Sequence, residues 1–573
     1  MQINKTDSSK MIPMIRDISK AADEKEVLKV LFSNSRGLDD TYSKTTLLEE
    51  YKRLKGSGKL VLTGKEEDRF LDNIKTKKIR TMSGVTPITV LTKPYPCPGK
   101  CIFCPSDVRM PKSYLSSEPG AQRAHDNKFD PYYQTYNRLV AYEKTGHPVS
   151  KIELIVLGGT WTSYPEAYQL WFIKRCFDAL NNFKPGTGSS YLTVKTELPY
   201  DEKKLVNLTG TYNAVVGLAR NDKKLAGEDS TWEELFASHA KNVAALCKCT
   251  GLVIETRPDE ITKDEIVRMR RLGATKVQIG VQSLNDRVLK LNKRGHTAAR
   301  TAEAFSLLRE AGFKIHAHWM PNLYGSDPAS DIRDFTKLFG DRKFRPDELK
   351  IYPCSLVEGT ELMEHYGTGS WKPYTENELL HIFKTILPTV PRYCRVTRVV
   401  RDISGLDIVA GNKKTNFRQI AEAELEKNRT KLKEIRSREI RDKKIDREDL
   451  IYKETTYLTA GTKEYFLEFV TKDDELAAFL RLSLPERPTK VEEISGSAVI
   501  REIHVYGGSV VVGTGEEGRA QHVGLGKELI KKASDISRGA GFKRLSVISS
   551  VGTRGYYASI GFTQGALYQH LEL

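Results

Sequence analysis

The chain has 573 residues, room for three or four domains at roughly 150 residues each, and its 39% hydrophobic and 29% charged content is that of a globular protein. Its 91 Lys and Arg against 74 Asp and Glu leave a net charge of +17, which favours a polyanionic partner, either nucleic acid or an anionic membrane. No apolar run approaches the roughly 20 residues that span a bilayer, the start MQINKTDSSK carries no secretory apolar segment, and eight Cys form no disulfide framework in a chain this long, so a reducing, cytoplasmic setting away from the membrane is expected.

Residues 1–80 read as a basic helical region ending in KTKKIR (75–80). Residues 81–360 alternate short β-branched runs with amphipathic stretches. The runs are ITVL (88–91), ELIVL (153–157), LVIE (252–255), VQIGV (277–281), IHAHWM (315–320) and LKIY (349–352). Such alternation predicts parallel strands with helical crossovers, and six strands predict a partial rather than a full barrel. Residues 361–454 read as a connector rich in Lys, Arg and Glu. From 455 to 573 the pattern is α+β. FLEFV (466–470), AAFLRLSL (477–484) and SAVIREIHVYGG (497–508) predict antiparallel strands. A helix over 524–538, strand KRLSVISS (543–550), a short helix and a last strand follow.

Three of the eight Cys fall within eight residues, just after the first predicted strand: Cys97, Cys101 and Cys104 in PYPCPGKCIFCP. Three thiolates on one tight loop suit three irons of a [4Fe–4S] cluster, leaving the fourth iron open. A zinc site would need a fourth ligand at suitable spacing, and His125 has no companion motif. The C-x3-C-x2-C spacing at the mouth of a six-stranded βα barrel resembles the radical S-adenosylmethionine (SAM) superfamily. The resemblance implies that SAM chelates the open iron and is cleaved to a 5′-deoxyadenosyl radical. It assigns SAM contacts to Gly158 and Gly159 in LGGTW, to Glu255 and Arg257 in ETRPD, and to Gln282 in GVQS.

Near the other end stands Gln521-His522-Val523-Gly524-Leu525-Gly526, preceded by a strand and opening a helix. A Q-x-x-G-x-G turn at a helix start offers backbone N–H groups and the helix dipole to a pyrophosphate. Together with GTRGYYASIGF (552–562), it resembles the acetyl-CoA turn of the GCN5-related N-acetyltransferase fold. That fold implies a Tyr near the CoA sulfur, for which Tyr556 and Tyr557 are the candidates.

A radical-SAM barrel joined to an acetyl-CoA domain is a rare pairing. With RTMSGVTPITVLTKPYPCPG (80–99), PKSYLSSEPGAQRA (111–124), RGHT (294–297) and LKIYP (349–353), the sequence resembles the family of the catalytic subunit of Elongator, in its stand-alone archaeal or bacterial form. The resemblance covers nearly the whole chain, more weakly before residue 75. It implies a tRNA carboxymethyluridine synthase: the adenosyl radical takes hydrogen from the acetyl-CoA methyl, the acetyl radical adds to carbon 5 of the wobble uridine, and water releases CoA. It implies acetyl-CoA contacts at Lys151, Glu502, Ile503, His504, Val505, Gln521, His522, Gly524, Leu525, Gly526, Lys527 and Tyr557, with His522, Tyr556 and Tyr557 as catalytic candidates. The partner is the tRNA anticodon stem-loop, whose single-stranded bases can be splayed into a pocket. Lys77, Lys78, Arg80, Lys93, Arg398 and Arg401 are the candidate phosphate contacts. An external electron donor is required, and the chain is expected to act alone or as a homodimer.

The sequence departs from the family at one place. Some relatives carry cysteines before I-R-x-R-E, where zinc is thought to bind. Here Leu432, Glu434 and Ser437 stand around Ile435-Arg436-Ser437-Arg438-Glu439, so a structural zinc is not expected there. Two other readings compete. A protein lysine N-acetyltransferase using the barrel as scaffold leaves the Cys triad and the +17 charge without a role. A non-enzymatic tRNA-binding subunit leaves the triad and both glycine turns unexplained.

Overall fold

Seven parallel strands in sequence order make the central sheet: β1 (Thr86–Leu91), β2 (Lys151–Leu157), β3 (Lys248–Thr256), β4 (Lys276–Gln282), β5 (Lys314–Trp319), β6 (Glu348–Ile351) and β8 (Arg395–Val399). The computed structural model describes residues 8–34, 43–75, 84–186, 190–220, 227–441, 443, 446–506 and 524–573. Parallel pairing in sequence order requires a crossover after every strand, and helices supply most of them. In β2, Ile152, Leu154 and Val156 are buried against the helix layer, while Lys151, Glu153, Ile155 and Leu157 line the inside of the open barrel. The inner face is therefore a wall of charged and apolar side chains around a space, not a packed core.

The six expected strands are all present. The seventh, β8, lies at 395–399, inside the segment expected to be a connector. Helices Glu376–Ile386 and Phe417–Lys427 bury Leu379, Ile382, Phe383, Phe417, Ala421 and Leu425 in the barrel core. The barrel layer thus runs past residue 360, and much of 361–454 belongs to it. Leu356–Val357 (β7) and Ile408–Ala410 (β9) form a small ribbon beside it.

The second sheet has the order β10-β11-β12-β13-β14-β16-β15. Its strands are β10 (Ile451–Leu458), β11 (Thr462–Val470), β12 (Leu476–Pro485), β13 (Ala498–Val505), β14 (Arg544–Val547), β15 (Thr563–Gln564) and β16 (Gln569–Glu572). All pairings are antiparallel except β13 with β14, which the helix Leu525–Gly539 connects. That parallel pair holds register only from Ala498 to Ile500, so the two strands part where Glu502 to Val505 begin. The helix N-terminus opens beside that fork.

At the other end of the chain four helices, α1 (Ser8–Lys20), α2 (Glu24–Ser33), α3 (Lys44–Gly56) and α4 (Gly64–Ile74), close around their own core of Met11, Ile15, Ile18, Leu47, Tyr51 and Phe70. The two sheets meet through buried ions. Asp347, fully buried at the start of β6, accepts from Arg309 of the barrel at 2.8 Å and from both terminal nitrogens of Arg501 on β13 at 2.8 Å. Arg481 of β12 reaches Tyr393 O at 2.7 Å, and Tyr568 Oη donates to Ala311 O at 2.8 Å. These bonds hold the second sheet against the N-terminal ends of the barrel strands.

Candidate active site

The cysteine loop leaves the C-terminal end of β1. Asn213 clamps it by accepting from Cys97 N and donating to Cys97 O, both at 3.0 Å. Cys104 N donates to Cys101 O at 3.2 Å, which turns the loop back on itself. Burial alone would raise the Cys101 thiol, but Arg294 and Arg257 more than offset this and hold it below the usual thiol range. Arg294 Nη1 lies 3.1 Å from Cys101 Sγ. Burial, reinforced by the charge of Cys101, pushes Cys104 up to about 12. Among the described residues no three His, Cys, Asp or Glu side chains converge closely enough to hold a single metal ion. A [4Fe–4S] cube is larger, and its corner irons spread the thiolates apart, so three soft thiolates on one clamped loop fit it.

The SAM candidates gather around that loop. Gly158 (φ 154°) and Gly159 (φ 86°) end β2 in backbone that only glycine adopts readily. A Cβ on Gly158 would collide with Thr92, and one on Gly159 would sit 3.0 Å from Lys112 O. Gln282, at φ 65°, ends β4 with its Oε1 buried and unpartnered. Both ring nitrogens of His296 and Nε of Arg294 are orphaned nearby. Buried polar atoms without partners are costly, and these are donors and acceptors of the kind a SAM carboxylate, amine and ribose would satisfy. Glu255 accepts from Tyr114 Oη at 2.8 Å, and its carboxyl is raised chiefly by burial. Arg257 is held by Asp259 at 2.8 Å and lies against the cysteine loop, with Nη1 3.9 Å from Cys101 Sγ.

The acyl-CoA candidates gather at the fork. Gly524 caps the helix Leu525–Gly539 in the left-handed conformation, φ 72°. A Cβ on Gly526 would lie 3.1 Å from Tyr556 Oη, 3.8 Å from Ile503 Cδ1 and 3.8 Å from Val505 Cγ2. The turn glycine, the strand and Tyr556 therefore surround one spot. Tyr557 is buried mostly in the domain core against Phe562, ring centroids 5.4 Å apart, and also lines the same cavity. The pair is thereby sorted, with the Tyr556 hydroxyl at the turn and the Tyr557 ring largely in the core. His504 stacks on Phe479 and is held below its usual range by burial. Glu502 is ionised down to about 2: burial opposes this, but Lys314 of β5 and Arg481 outweigh it. Gln521 and His522 lie outside the described residues, as do Lys77, Lys78 and Arg80.

One cavity of about 1780 Å³ joins these groups. Its walls include Gly524, Gly526, Lys527, Tyr556 and residues 502–505 on one side, and Lys151, Lys276, Lys314, His316, Glu348 and Thr397 of the barrel on the other. Burial lowers Lys151 to about 8. Arg398 stands on the cavity wall, ion-paired to Asp402. Lys93 is a correction: it is buried, ion-paired to Glu228 and set over the Tyr168 ring, where no phosphate reaches it. Arg401 is engaged with Glu118 at 2.7 Å and lies over the Tyr114 ring. Sequence reading missed Arg294, Asn213 and His316. Only the motif RGHT flagged the first, and nothing local flagged the others.

Around Ile435-Arg436-Ser437-Arg438-Glu439, where no zinc is expected, Glu434 ties the chain together. Its carboxylate accepts from Val396 N (2.9 Å), Arg436 N (2.9 Å), Ser437 N (3.0 Å) and Arg418 Nη2 (2.6 Å). Cys394 is fully buried, and burial raises its thiol strongly, with the nearby carboxylates of Glu434, Asp347 and Glu348 adding to the shift and Arg481 opposing it.

Residues 227–335 match the model of the Radical SAM superfamily, and residues 346–427 match the Radical_SAM C-terminal domain. The chain is 38% identical over 508 residues to a tRNA uridine(34) acetyltransferase of Dehalococcoides mccartyi, covering 87% of this chain and 100% of that protein. It is 33% identical to Elongator complex protein 3 of Homo sapiens, covering 86% and 85%. The solved structure of archaeal Methanocaldococcus infernus Elp3 with an N-terminal deletion superposes with a TM-score of 0.67 at 32% identity, covering 86% of this chain and all of that one.

Proposed function

The chain belongs to the radical-SAM family of tRNA uridine(34) acetyltransferases and Elongator complex protein 3, and from that premise we propose that it attaches an acetyl-CoA-derived carboxymethyl group to carbon 5 of the wobble uridine of tRNA. The observation that carries this reading is the single cavity walled by both the acyl-CoA turn and the barrel interior. Two unrelated activities would not need a shared space.

When bound, the cluster and SAM supply a 5′-deoxyadenosyl radical. The protein's part is positioning. Asn213 and Arg294 fix the cysteine loop, and Gly158 and Gly159 leave room at the end of β2 for the SAM amino group. The helix N-terminus at Gly524 takes the CoA pyrophosphate through backbone N–H groups and its dipole. Gly526 leaves the space beside Tyr556 in which the pantetheine arm turns towards the barrel. Lys151, charged below about pH 8, faces that space. Arg398 and the basic N-terminal region meet the anticodon stem-loop phosphates, and an external donor reduces the cluster. The chain works alone or as a homodimer.

The test is anaerobic reconstitution with reductant, SAM, acetyl-CoA and tRNA, followed by nucleoside mass analysis. The expected product is a carboxymethylated uridine at the wobble position, with CoA release dependent on tRNA. Equal CoA release without tRNA, together with acetylation of peptide lysines, would instead establish the protein acetyltransferase.

A further inference from the structure

The inner wall of the barrel carries three groups that the positioning roles above leave unused. His316 on β5 is buried, with Nε2 2.8 Å from Thr397 Oγ1 on β8. Its Nδ1 stands 3.3 Å from Glu348 Oε2 on β6, near but not aligned for a hydrogen bond, and has no hydrogen-bond partner. All three line the cavity, Thr397 being the partly exposed member. From this geometry we propose that His316, oriented by Glu348 and acting through the Thr397 hydroxyl, is the base that activates the water which cleaves the acyl thioester.

Electrostatics selects the tautomer. Glu348 is kept ionised: burial opposes this, but Lys276 and Lys314 outweigh it. An ionised carboxylate only accepts, so the imidazole proton belongs on Nδ1, one small ring rotation from Glu348. Nε2 then presents its lone pair to Thr397. The hydroxyl hydrogen chooses between Nε2 at 2.8 Å and Leu349 O at 3.2 Å, and the shorter bond places it on the line to the base. Burial keeps His316 neutral and hence able to take a proton; Glu348 opposes this, and Lys350, Lys276 and Lys314 reinforce it.

The position suits the step. Glu502 of the acyl-CoA strand is ion-paired to Lys314, and Lys314 lies 3.5 Å from Glu348, so the triad sits one side chain beyond the fork. One pleat further up β5, the ring of His318 is 5.7 Å from that of His316, and its Nδ1 is 3.7 Å from Glu255 on the SAM side. His316 therefore stands between the two expected cofactors.

The step balances. The water oxygen bonds to the thioester carbonyl carbon as its proton passes to Thr397 Oγ1 and the threonine proton passes to His316 Nε2. The carbon–sulfur bond breaks, and the held proton returns to sulfur, giving a carboxylic acid and CoA thiol. No oxidant or reductant is consumed.

The inference rests on the proposed function, and the experiment separates the two. The reconstituted holoenzyme, with reductant, SAM, acetyl-CoA and tRNA, is assayed for CoA thiol release, 5′-deoxyadenosine formation and acetyl-CoA affinity. A positioned base contributes about 10²–10⁴-fold. His316→Asn and Thr397→Val should each lower CoA release at least about 100-fold, while 5′-deoxyadenosine formation and acetyl-CoA affinity stay within about threefold. Thr397→Ser, which restores the hydroxyl, should recover release. Thr397→Val is near-isosteric and keeps the test open should His316→Asn fold poorly. Release within about threefold of the parent in Thr397→Val overturns the inference, as does a Thr397→Ser variant no better than Thr397→Val. A parent enzyme that releases no CoA with tRNA overturns the function itself.

Discussion

Asp347→Asn is the sharpest probe of how the two sheets are joined. The native carboxylate is fully buried and accepts from Arg309 Nη1 at 2.8 Å, from Arg501 Nη1 and Nη2 at 2.8 Å each, and from Ile315 N at 2.9 Å. Asparagine keeps the shape, but it turns one acceptor into a donor facing a guanidinium and removes the negative charge. Hydrogen bonds to charged groups are worth about 1.5–3 kcal/mol each, and breaking a buried pair by removing one partner costs about 3–5 kcal/mol. Taking about 3–5 kcal/mol, the opening equilibrium of the interface should rise by about two to four powers of ten. Hydrogen exchange of the amides in β13 and β5 reads this directly. Burial would raise the Asp347 carboxyl, but Arg309 and Arg501 hold it well below the usual range. Its stabilisation is therefore fully present above the unfolded-state value of about 3.9 and is lost only as pH falls through the lower folded value. The difference between parent and variant should be flat from about pH 5 to 8. A difference under about 1 kcal/mol, or one that vanishes between pH 5 and 7, would refute the reasoning.

Three further predictions follow the same logic. Cys101→Ser should lose the cluster and SAM cleavage, with iron falling from about four per chain; iron analysis beside circular dichroism checks that the fold survives. Lys151, lowered to about 8 by burial, is charged below that pH. Acetyl-CoA affinity should therefore weaken as pH rises from 7 to 9, and Lys151→Ala should abolish that slope in a calorimetric titration; a slope unchanged in the variant removes Lys151 from the site. Glu434→Ala should cost about 2–4 kcal/mol in denaturant unfolding, because it strands three backbone donors and takes from Arg418 one of its two carboxylate partners, leaving Glu422. Chelator treatment of the parent should leave the same transition unmoved, and stoichiometric zinc whose removal lowers it would show that other ligands have taken over.

What the sequence made legible was local. The C-x3-C-x2-C loop, the two glycine turns and the six apolar runs each carry their signal within about ten residues. The seventh strand does not: in RVTRV only Val396 and Val399 face the core, while Arg395, Thr397 and Arg398 line the cavity. A strand whose inner face meets polar space reads as a charged linker. Arg294 meets Cys101 across 193 residues, and Asn213 meets Cys97 across 116, so no window could join them. Lys93 looked like a surface cation because its partner Glu228 is 135 residues away. Tyr556 and Tyr557 are neighbours on one helical turn and must diverge by about 100°. The sequence required one of them to be largely core without saying which; in the structure Tyr557 is the more buried, the Tyr556 hydroxyl lies 3.1 Å from where a Cβ on Gly526 would stand, and both line the cavity.

The charges between the sheets explain why the cavity is shared rather than merely adjacent. Glu502 belongs to the acyl-CoA strand, yet its ionised state depends on Lys314 of the barrel. Lys314 also faces Glu348, which Lys276 pairs at 3.0 Å and which orients His316. Lys276 in turn reaches Glu153 of β2, two residues from Lys151, at 2.7 Å. The Lys314–Glu502 pair is the link of this chain that crosses from barrel to acyl-CoA strand, and parting the sheets would break it at a cost of several kcal/mol, while the other links hold the barrel wall in place. The chain of ions therefore fixes the distance from the acyl-CoA fork to the barrel wall, and a reaction that must bring an acyl group to a radical needs that distance held before the substrate arrives.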